Sequence, residues 1–320
     1  MRLDLSHQMV ERYQRDGFLL VEGFLSAAEL ARWRALVGEA LAERLRAKEQ
    51  FERRKWRRLR PALALGSRSV FGEQGHAKLL EAARRRLGRL GTTLFPRGWA
   101  AAHMTNQGDP KLYYATVYQQ VLGLGLEHAG LRKIALDRSI GELAARLAGV
   151  PAVRLYHDQS LVKVPGAPFT SWHFDGSFWS FEAQQGITLW IALDDMTQEN
   201  GCLSYLPGSQ RTASLARRTT IGTGFASAID LYPEWRAIEP VNCPCPAGSA
   251  VFHNAFVAHS ASANQTDRDR RAFACAFMPE GARFNGRQDV LPEHLFRRLR
   301  VGDPLNDEAL HPLVGPRGQR

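Results

Sequence analysis

The feature that most constrains the fold is a change of sequence pattern near Val153. From there onward, short apolar and aromatic runs alternate with prolines and glycines. The runs are Ser160–Val164, Ile187–Leu193, Cys202–Leu206, Ala250–Phe256 and Phe273–Phe277. Short, closely spaced strands separated by turn residues are typical of antiparallel barrels and sandwiches. The second half of the chain is therefore predicted to be an antiparallel β structure.

The first half, by contrast, carries helix signals. Ser6 can cap a helix that Gly17 ends, and the apolar run Phe18–Val21 then predicts a short strand. Ser26 precedes a second, longer helix, and Glu29 is placed to complete a capping box. Apolar residues at helical spacing recur at Leu30, Trp33, Leu36 and Leu41, and in the segments Leu79–Leu90 and Ile140–Leu147. We therefore expect a mainly helical N-terminal half.

The net charge of +10 raises the question of a nucleic-acid partner. Only six of the 42 basic residues are lysines, a bias that a GC-rich genome explains as well as phosphate binding does. The densest basic cluster, Arg44–Arg60, also contains Glu49 and Glu52 and is predicted to be a solvated helix. No zinc-finger, helix-turn-helix or RNA-recognition signature accompanies it. A small-molecule substrate is expected instead, and an anionic one is the minority alternative.

The apolar runs and the cysteines bear on the cellular compartment. No run approaches the length that spans a bilayer, so no membrane partner is expected. Residues 1–11 lack the continuous apolar segment of a signal peptide, which favours a cytoplasmic location. The four cysteines lack zinc-site spacing and are expected to be reduced thiols: Cys202, Cys243, Cys245 and Cys275.

The chemistry is carried by an H-x-D sequence formed by His173 and Asp175. In a strand, alternate side chains share a face, so the two point the same way, about 7 Å apart along the chain. A third ligand should come from a distant strand; His259, 84 residues after Asp175, is the best candidate and His253 its rival. Two histidines and a carboxylate leave three positions of an octahedral metal open, as in non-haem iron(II) oxygenases. H-x-D alone, however, occurs in many proteins without a metal.

Further motifs follow in order along the chain. They are His173-Phe-Asp175, the strand Trp190-Ile-Ala-Leu-Asp-Asp, the turn Asn200-Gly-Cys-Leu-Ser-Tyr-Leu-Pro-Gly-Ser209, the segment Gly248-Ser-Ala-Val-Phe-His-Asn, and the spacing of His259, Asn264, Thr266 and Arg270. Together they resemble the phytanoyl-CoA dioxygenase family of iron(II)- and 2-oxoglutarate-dependent oxygenases. The resemblance covers much of 150–280 and, more loosely, Phe18–Phe24 and the tail. Gln210 stands where the family commonly has His, and Ala261 where Ser is frequent.

The resemblance implies a fold and a domain organisation. The fold is mainly β with α: a double-stranded β-helix, that is, a jelly-roll or cupin-like barrel, flanked by N-terminal helices. One oxygenase domain over 1–320 is expected, with a mainly helical part at 1–150, the double-stranded β-helix core at 151–282 and a wrapping C-terminal tail at 283–320. The implied cofactors are iron(II), 2-oxoglutarate as co-substrate, and O2.

The resemblance also assigns the metal ligands. It favours His259 over His253, so His173, Asp175 and His259 are expected to bind the metal and to be the catalytic residues. Halogenating relatives carry Ala or Gly in place of the carboxylate ligand, which frees a position for chloride. Because Asp175 is a carboxylate, hydroxylation is favoured over chlorination.

A separate set of residues is expected to bind the co-substrate. The resemblance places Arg270, eleven residues after His259, on the distal carboxylate of 2-oxoglutarate. A buried carboxylate needs such a two-pronged, always-charged partner. Trp190 and Gln159 fall where the family lines the co-substrate pocket, although Trp190 is equally explained as a barrel-core aromatic.

Strand alternation distinguishes Arg270 from its neighbours Arg268 and Arg271. The last β run is expected to alternate between two faces. One face would carry Arg270, Ala272, Ala274 and Ala276, and the other Arg271, Phe273, Cys275 and Phe277. The face with arginine and small alanines leaves space for a dicarboxylate, whereas the face with large apolar residues suits packing against the helical half.

The expected reaction couples decarboxylation of 2-oxoglutarate to oxidation, most directly hydroxylation, of a C–H bond in a small molecule. Natural-product biosynthesis is one setting for such an enzyme. Desaturation, cyclisation and epimerisation use the same cofactors and are alternatives, and a non-catalytic cupin-like binding protein is the alternative of another class. Residues around Tyr113, Tyr114, Gln119 and Gln120 are expected to shape the substrate site.

Overall fold

The structure is a computed structural model that describes residues 1, 4–47, 50, 119–182, 184–219 and 227–315. Numbered in chain order within these residues, the helices are α1 (His7–Asp16), α2 (27–47), α3 (Leu124–Glu127), α4 (Ala129–Ala135), α5 (Arg138–Ala148), α6 (Ala228–Leu231) and α7 (Glu293–Phe296). The strands are β1 (Phe18–Val21), β2 (Gln119–Leu122), β3 (Val153–Lys163), β4 (Thr170–His173), β5 (Ile187–Ala192), β6 (Leu203–Tyr205), β7 (Val241–Cys243), β8 (Ala250–Asn254), β9 (His259–Ala261), β10 (Arg270–Pro279) and β11 (Leu313–Val314). Short 3-10 helices cover Asp175–Ser177, Ser209–Arg211 and Pro233–Ala237.

Two antiparallel sheets form the barrel. The larger sheet has the strand order β1-β8-β5-β10-β3-β11, and β2 pairs with β3 on the same side as β11. The smaller sheet has the order β4-β9-β6-β7. Side chains from both sheets share one apolar cluster, with Trp190 and Val251 from the larger sheet and Leu203 and Ala261 from the smaller. The predicted double-stranded β-helix is confirmed.

The larger sheet takes strands from all parts of the chain. β1 pairs antiparallel with β8, so that Phe18 lies opposite His253. β11, in the tail, pairs with the start of β3. The N-terminal part and the tail therefore complete the sheet as well as covering it, which local hydrophobic patterns could not show.

The two predicted helix starts in the N-terminal part are confirmed. The Ser6 side chain accepts a hydrogen bond from the Met9 N–H, and α1 ends at Gly17, which has a left-handed φ of +84°. At the start of α2 the Ser26 N–H donates to the Glu29 carboxylate at 2.9 Å. The Glu29 N–H in turn donates to the Ser26 hydroxyl at 3.3 Å, which completes the capping box.

An apolar core lies between the helices and the outer face of the larger sheet. It includes Trp33 and Val37 of α2, Leu143 of α5 and Phe273 of β10. The Trp33 and Phe273 ring centroids are 5.5 Å apart. Each large apolar side chain buried in this way contributes about 1.5–3 kcal/mol to folding.

The alternation predicted for β10 is observed. Phe273, Cys275 and Phe277 pack in the helix-facing core, whereas Ala272 and Ala274 lie in the cluster between the two sheets. A register shift relative to β3 falls between Ala276 and Phe277. The inward face of β10 therefore carries small residues along the barrel interior.

Several other predictions can be placed. Ile140–Leu147 lies within α5 as expected, and all four cysteines are free and buried. Most of the basic segment Arg44–Arg60, the segment Leu79–Leu90, and Tyr113 and Tyr114 lie outside the described residues. Within the described ranges, every helix is too short or too polar to cross a membrane.

Candidate active site

The H-x-D residues lie at a strand end. β4 ends at His173, and Asp175 begins the 3-10 helix Asp175–Ser177, so the prediction that Asp175 belongs to the strand is wrong. Phe174 between them keeps an extended backbone, with φ −132° and ψ 139°. The alternation of side chains therefore continues through Phe174, and the imidazole and carboxylate still share a face.

His259 completes the group from the neighbouring strand. It is the first residue of β9 and lies opposite His173 of β4 in the sheet register. The two imidazole centroids are 4.2 Å apart, and the His259 Nε2 is 3.6 Å from the Asp175 Oδ1. One ligand atom from each of the three residues lies within 4.8 Å of the other two. Such a group fits one transition-metal ion with open positions.

The backbone orients both imidazoles of this group. The His173 Nδ1 lies 2.8 Å from the Ser171 carbonyl oxygen, and the His259 Nδ1 lies 3.1 Å from the Val257 carbonyl oxygen. Since a carbonyl only accepts, each Nδ1 carries the proton and each Nε2 keeps a free lone pair. This is the usual arrangement of metal-binding histidines, in which the second ring nitrogen is fixed by an oxygen acceptor.

The protonation states also suit a metal. Burial lowers the pKa of His173, and burial followed by the charge of His173 lowers the pKa of His259 well below its ordinary value. Burial by itself raises the pKa of Asp175, but the charge that His259 carries in its protonated form and the hydrogen bond from His253 outweigh it, so the net pKa lies well below the ordinary range. At neutral pH the group is therefore two neutral imidazoles and one carboxylate.

His253, the rival third ligand, occupies a different position. Its Nε2 lies 3.2 Å from the Asp175 Oδ2, and its Nδ1 lies 3.0 Å from the Tyr205 hydroxyl. The Thr188 hydroxyl donates to the same Asp175 Oδ2 at 2.9 Å. Sequence reasoning missed Thr188, although it shares a strand face with Trp190. Both Thr188 and His253 bind the carboxylate from the larger sheet.

The group opens on a cavity of about 80 Å³ between the two sheets. Trp190 and Gln159, the two residues expected to line the co-substrate pocket, are both part of its wall. Gln120, expected to shape the substrate site, also lines it and donates a hydrogen bond from its side-chain amide to the side-chain oxygen Oε1 of Gln159. The remaining lining residues are Leu161, Thr170, His173, Asp175, Thr188, Leu203, His253, His259, Ser260 and Ala261.

The three neighbouring arginines differ as alternation predicts. Arg270 is 0% exposed, and its guanidinium carbon lies 5.5 Å from the centroid of the Trp190 ring. Arg271 points outward and forms an ion pair with Asp194 at 2.6 Å. The Arg268 side chain is 89% exposed. Of the three, only Arg270 is directed towards the cavity wall.

Lys163 is a second buried cation, which sequence reasoning did not single out. It is 0% exposed and lies opposite Arg270 in the register between β3 and β10. Residues opposed in an antiparallel pair project on the same face of the sheet, so both cations enter the barrel interior. Two basic side chains therefore lie side by side on the inward face of the β3–β10 pair.

Comparison with known proteins agrees with this geometry. Residues 13–272 match the family described as Phytanoyl-CoA dioxygenase (PhyH). The chain belongs to the phytanoyl-CoA dioxygenase family. This match confirms the predicted dioxygenase class and, with the His-Asp-His group, its cofactors iron(II), 2-oxoglutarate and O2.

Two proteins similar in sequence to this chain differ in how much of their own length is matched. A methylphosphonate hydroxylase of Gimesia maris is 32% identical over 146 residues, 45% of this chain and 52% of the relative. The chain thus matches about half the length of that relative. Phytanoyl-CoA dioxygenase domain-containing protein 1 of Mus musculus is 27% identical over 86% of this chain and 90% of its own length.

A solved structure is similar over nearly the whole chain. It is the non-heme alpha ketoglutarate dependent carbocyclase SnoK from nogalamycin biosynthesis. The TM-score is 0.67 at 26% sequence identity, with 97% of each chain covered. The similarity therefore extends beyond the barrel to the elements that surround it.

Proposed function

We propose that this phytanoyl-CoA dioxygenase family member oxidises, and most directly hydroxylates, a C–H bond of a small-molecule substrate. His173, Asp175 and His259 hold iron(II). Bound iron supplies the activation of O2 that is coupled to decarboxylation of 2-oxoglutarate. The single observation that carries the proposal is the group of two neutral imidazoles and one carboxylate on the wall of an interior cavity.

The co-substrate is assigned to the interior end of the same cavity. Arg270 binds the distal carboxylate of 2-oxoglutarate, and the guanidinium is suited to this because it is planar, buried and permanently charged. Trp190 and Gln159 form the wall beside it. Arg270 and Trp190 are both buried, so a co-substrate bound here would be held in a fixed orientation towards the metal site.

Hydroxylation is preferred to halogenation because of Asp175. The carboxylate is present, has a depressed pKa and lies beside both ligand histidines, so it fills the place that chloride would need. Cyclisation is the second candidate outcome, because the similar SnoK structure is a carbocyclase. The relatives give two classes of small molecule to test as substrates, phosphonates and natural-product scaffolds.

We also infer that residues 1–320 form one oxygenase domain. The pairing of β1 and β11 with the barrel strands supports this, because both ends of the chain complete the larger sheet. Removal of either end is then expected to unfold the barrel.

The test is turnover of the protein reconstituted with iron(II) in the absence of oxygen. With 2-oxoglutarate, O2 and a panel of alkylphosphonates and polycyclic natural products, we expect succinate and one oxidised product. Mass spectrometry of reactions with added chloride should show oxygenated or dehydrogenated product without chlorine. Failure to bind iron, or binding without any succinate, would favour the non-catalytic binding protein.

A further inference from the structure

We propose that Thr188 and His253 hold the Asp175 carboxylate so that only one of its oxygens binds the metal. This inference rests on the proposed metal site and assigns positioning residues to it. His253, which spacing alone marks as a rival ligand, then acts through Asp175.

The two oxygens of Asp175 have different surroundings. Oδ2 accepts from the Thr188 hydroxyl at 2.9 Å and lies 3.2 Å from the His253 Nε2. Oδ1 instead faces the His259 Nε2 at 3.6 Å, on the side of the ligand atoms. Two hydrogen bonds occupy the acceptor directions of Oδ2, so Oδ1 is the oxygen left for a cation.

The direction of the hydrogen bond from His253 follows from its two partners. The Asp175 carboxylate only accepts, so the His253 Nε2 carries the proton and donates it. The other nitrogen, Nδ1, then accepts from the Tyr205 hydroxyl at 3.0 Å. Tyr205 is itself fixed, since its ring stacks on Phe18 of β1 with centroids 4.3 Å apart and planes 8° apart. The chain from Phe18 to Asp175 sets both the position and the tautomer of His253.

Both donors lie on paired, buried strands of the larger sheet. Thr188 on β5 lies opposite His253 on β8 in the register, and each is 2% exposed. Asp175 itself lies in a 3-10 helix at the end of β4, outside either sheet. Asp175, the proposed ligand that lies outside the sheet hydrogen bonding, is therefore held by hydrogen bonds from residues on the opposite sheet.

The consequence concerns coordination number. A carboxylate that binds through both oxygens takes two positions on the metal, whereas one that binds through a single oxygen leaves three for the co-substrate and O2. A bidentate Asp175 would leave only two. Hydrogen bonds that occupy Oδ2 therefore keep the third position open.

The experiment uses pairs of variants that separate hydrogen bonding from packing. Thr188→Val removes the hydroxyl at constant shape, and Thr188→Ser keeps it. His253→Phe removes the ring donor, and His253→Gln keeps an N–H that can reach the same oxygen. Thr197→Val, in an exposed loop, is the matched control for loss of a threonine hydroxyl.

The readouts are cobalt(II) affinity, the visible absorption of the cobalt(II) protein and the stoichiometry of 2-oxoglutarate binding to it. We expect Thr188→Val and His253→Phe to lower metal affinity about 10–100-fold, the usual effect of losing a hydrogen bond to a metal ligand. The absorption spectrum should change with coordination number, and Thr188→Ser and His253→Gln should restore both properties. Thr197→Val should match the unaltered protein.

Two outcomes would overturn the inference. The first is an unchanged spectrum and affinity in folded Thr188→Val and His253→Phe, with folding checked by thermal unfolding. The second is an equal loss in Thr188→Ser and Thr188→Val, which would mean that shape matters and the hydroxyl does not. If the unaltered protein itself binds no cobalt(II) or iron(II), the proposed function fails instead, so the two failures are distinguishable.

Discussion

The two sheets of the barrel contribute different things to the site. The smaller sheet and the turn after β4 carry all three proposed metal ligands, His173, Asp175 and His259. The larger sheet carries residues that contact a ligand or line the cavity, among them Thr188, Trp190 and His253, together with Arg270.

This difference follows from the length and support of the strands. β4 and β9 have four and three residues, whereas β3 and β10 have eleven and ten. Arg270 is the first residue of β10, and its pairing with Lys163 of β3 places it among the fully buried residues of the larger sheet. The short strands β4 and β9 place His173 at the end of one strand and His259 at the start of the other, beside the cavity. The smaller sheet and the turn after β4 therefore supply the proposed metal ligands. The larger sheet supplies Thr188 and His253, which contact one of those ligands, and Arg270, which is proposed to bind the co-substrate.

The largest expected effect tests this division with two histidines only six residues apart. His259→Ala should abolish both stoichiometric iron binding and turnover, because it removes a ligand on the smaller sheet. His253→Ala should keep stoichiometric iron, with affinity lower by about tenfold, because it removes only a contact to a ligand. Iron content after gel filtration, with titration of iron(II), measures both. Loss of iron in His253→Ala with retention in His259→Ala would reverse the assignment.

The second largest expected effect is on 2-oxoglutarate binding by Arg270 of the larger sheet. Arg270→Ala should weaken 2-oxoglutarate binding by a factor of several hundred, since stranding a buried charge costs about 3–5 kcal/mol. Arg271→Ala and Arg268→Ala should change it little, because exposed ion pairs contribute about 0–1 kcal/mol. The measurement is calorimetric titration of 2-oxoglutarate into manganese(II)-loaded protein. A large defect in Arg271→Ala alone would mean that the register of β10 is shifted by one residue.

Acid should destabilise the metal-free protein through histidines of both sheets. Burial lowers the pKa of His157 on β3 to about 4, and burial also lowers the pKa of His173, His259 and His311. Below about pH 6.5 the unfolded chain binds protons that the folded chain does not, so stability falls by up to about 1.4 kcal/mol per pH unit for each histidine. Asp158 opposes this, because burial raises its pKa to about 6 and the folded form binds that proton first.

Urea unfolding with a chelator, at about pH 7.5 and about pH 5.5, measures this dependence. His157→Gln should reduce the slope by the share of one histidine and leave metal binding by the smaller sheet intact. A slope that is unchanged in His157→Gln would contradict the pKa assigned to that residue.

The smallest expected effect is on 2-oxoglutarate affinity when Trp190 or Gln159, which line the cavity, is replaced. Trp190→Phe should weaken 2-oxoglutarate binding roughly twofold to tenfold, because phenylalanine keeps part of a contact between a cation and an aromatic ring that contributes about 0.5–2 kcal/mol. Gln159→Leu should have an effect of similar size by removing a polar group from the same wall. If Trp190 serves only the core, Trp190→Phe will lower the melting temperature and leave the 2-oxoglutarate affinity unchanged.

Local sequence patterns predicted the structural features that depend on residues close together in the sequence. The caps at Ser6 and Ser26, the helix at Ile140–Leu147 and the two faces of β10 all follow from spacing of a few residues, and the structure contains them. Predicting that His173, Asp175 and His259 form one group also required the order of motifs along the chain. The H-x-D motif alone does not identify the third ligand, which is distant in sequence.

What could not be predicted depends on register between distant strands. Thr188 contacts Asp175 only because β5 and β8 align it with His253 across the barrel. Lys163 opposes Arg270 through the pairing of β3 with β10, more than a hundred residues apart in sequence. The 3-10 turn at Asp175 replaces the predicted strand because the Gly176 N–H donates to the Ala255 carbonyl at 2.7 Å, a contact with a remote loop.

The position of β1 at the edge of the larger sheet has a consequence for how the chain folds. Phe18 pairs with His253, which is made more than two hundred residues later, and its ring supports Tyr205 behind the site. Contacts that close so long a loop form slowly, because the entropy of closure is lost before the pairing stabilises the chain. During synthesis β1 leaves the ribosome early and must wait for almost the whole barrel to emerge. Ordering of the site is thus expected among the last events of folding, and the four residues of β1 should be protected from hydrogen exchange only after β8 is in place.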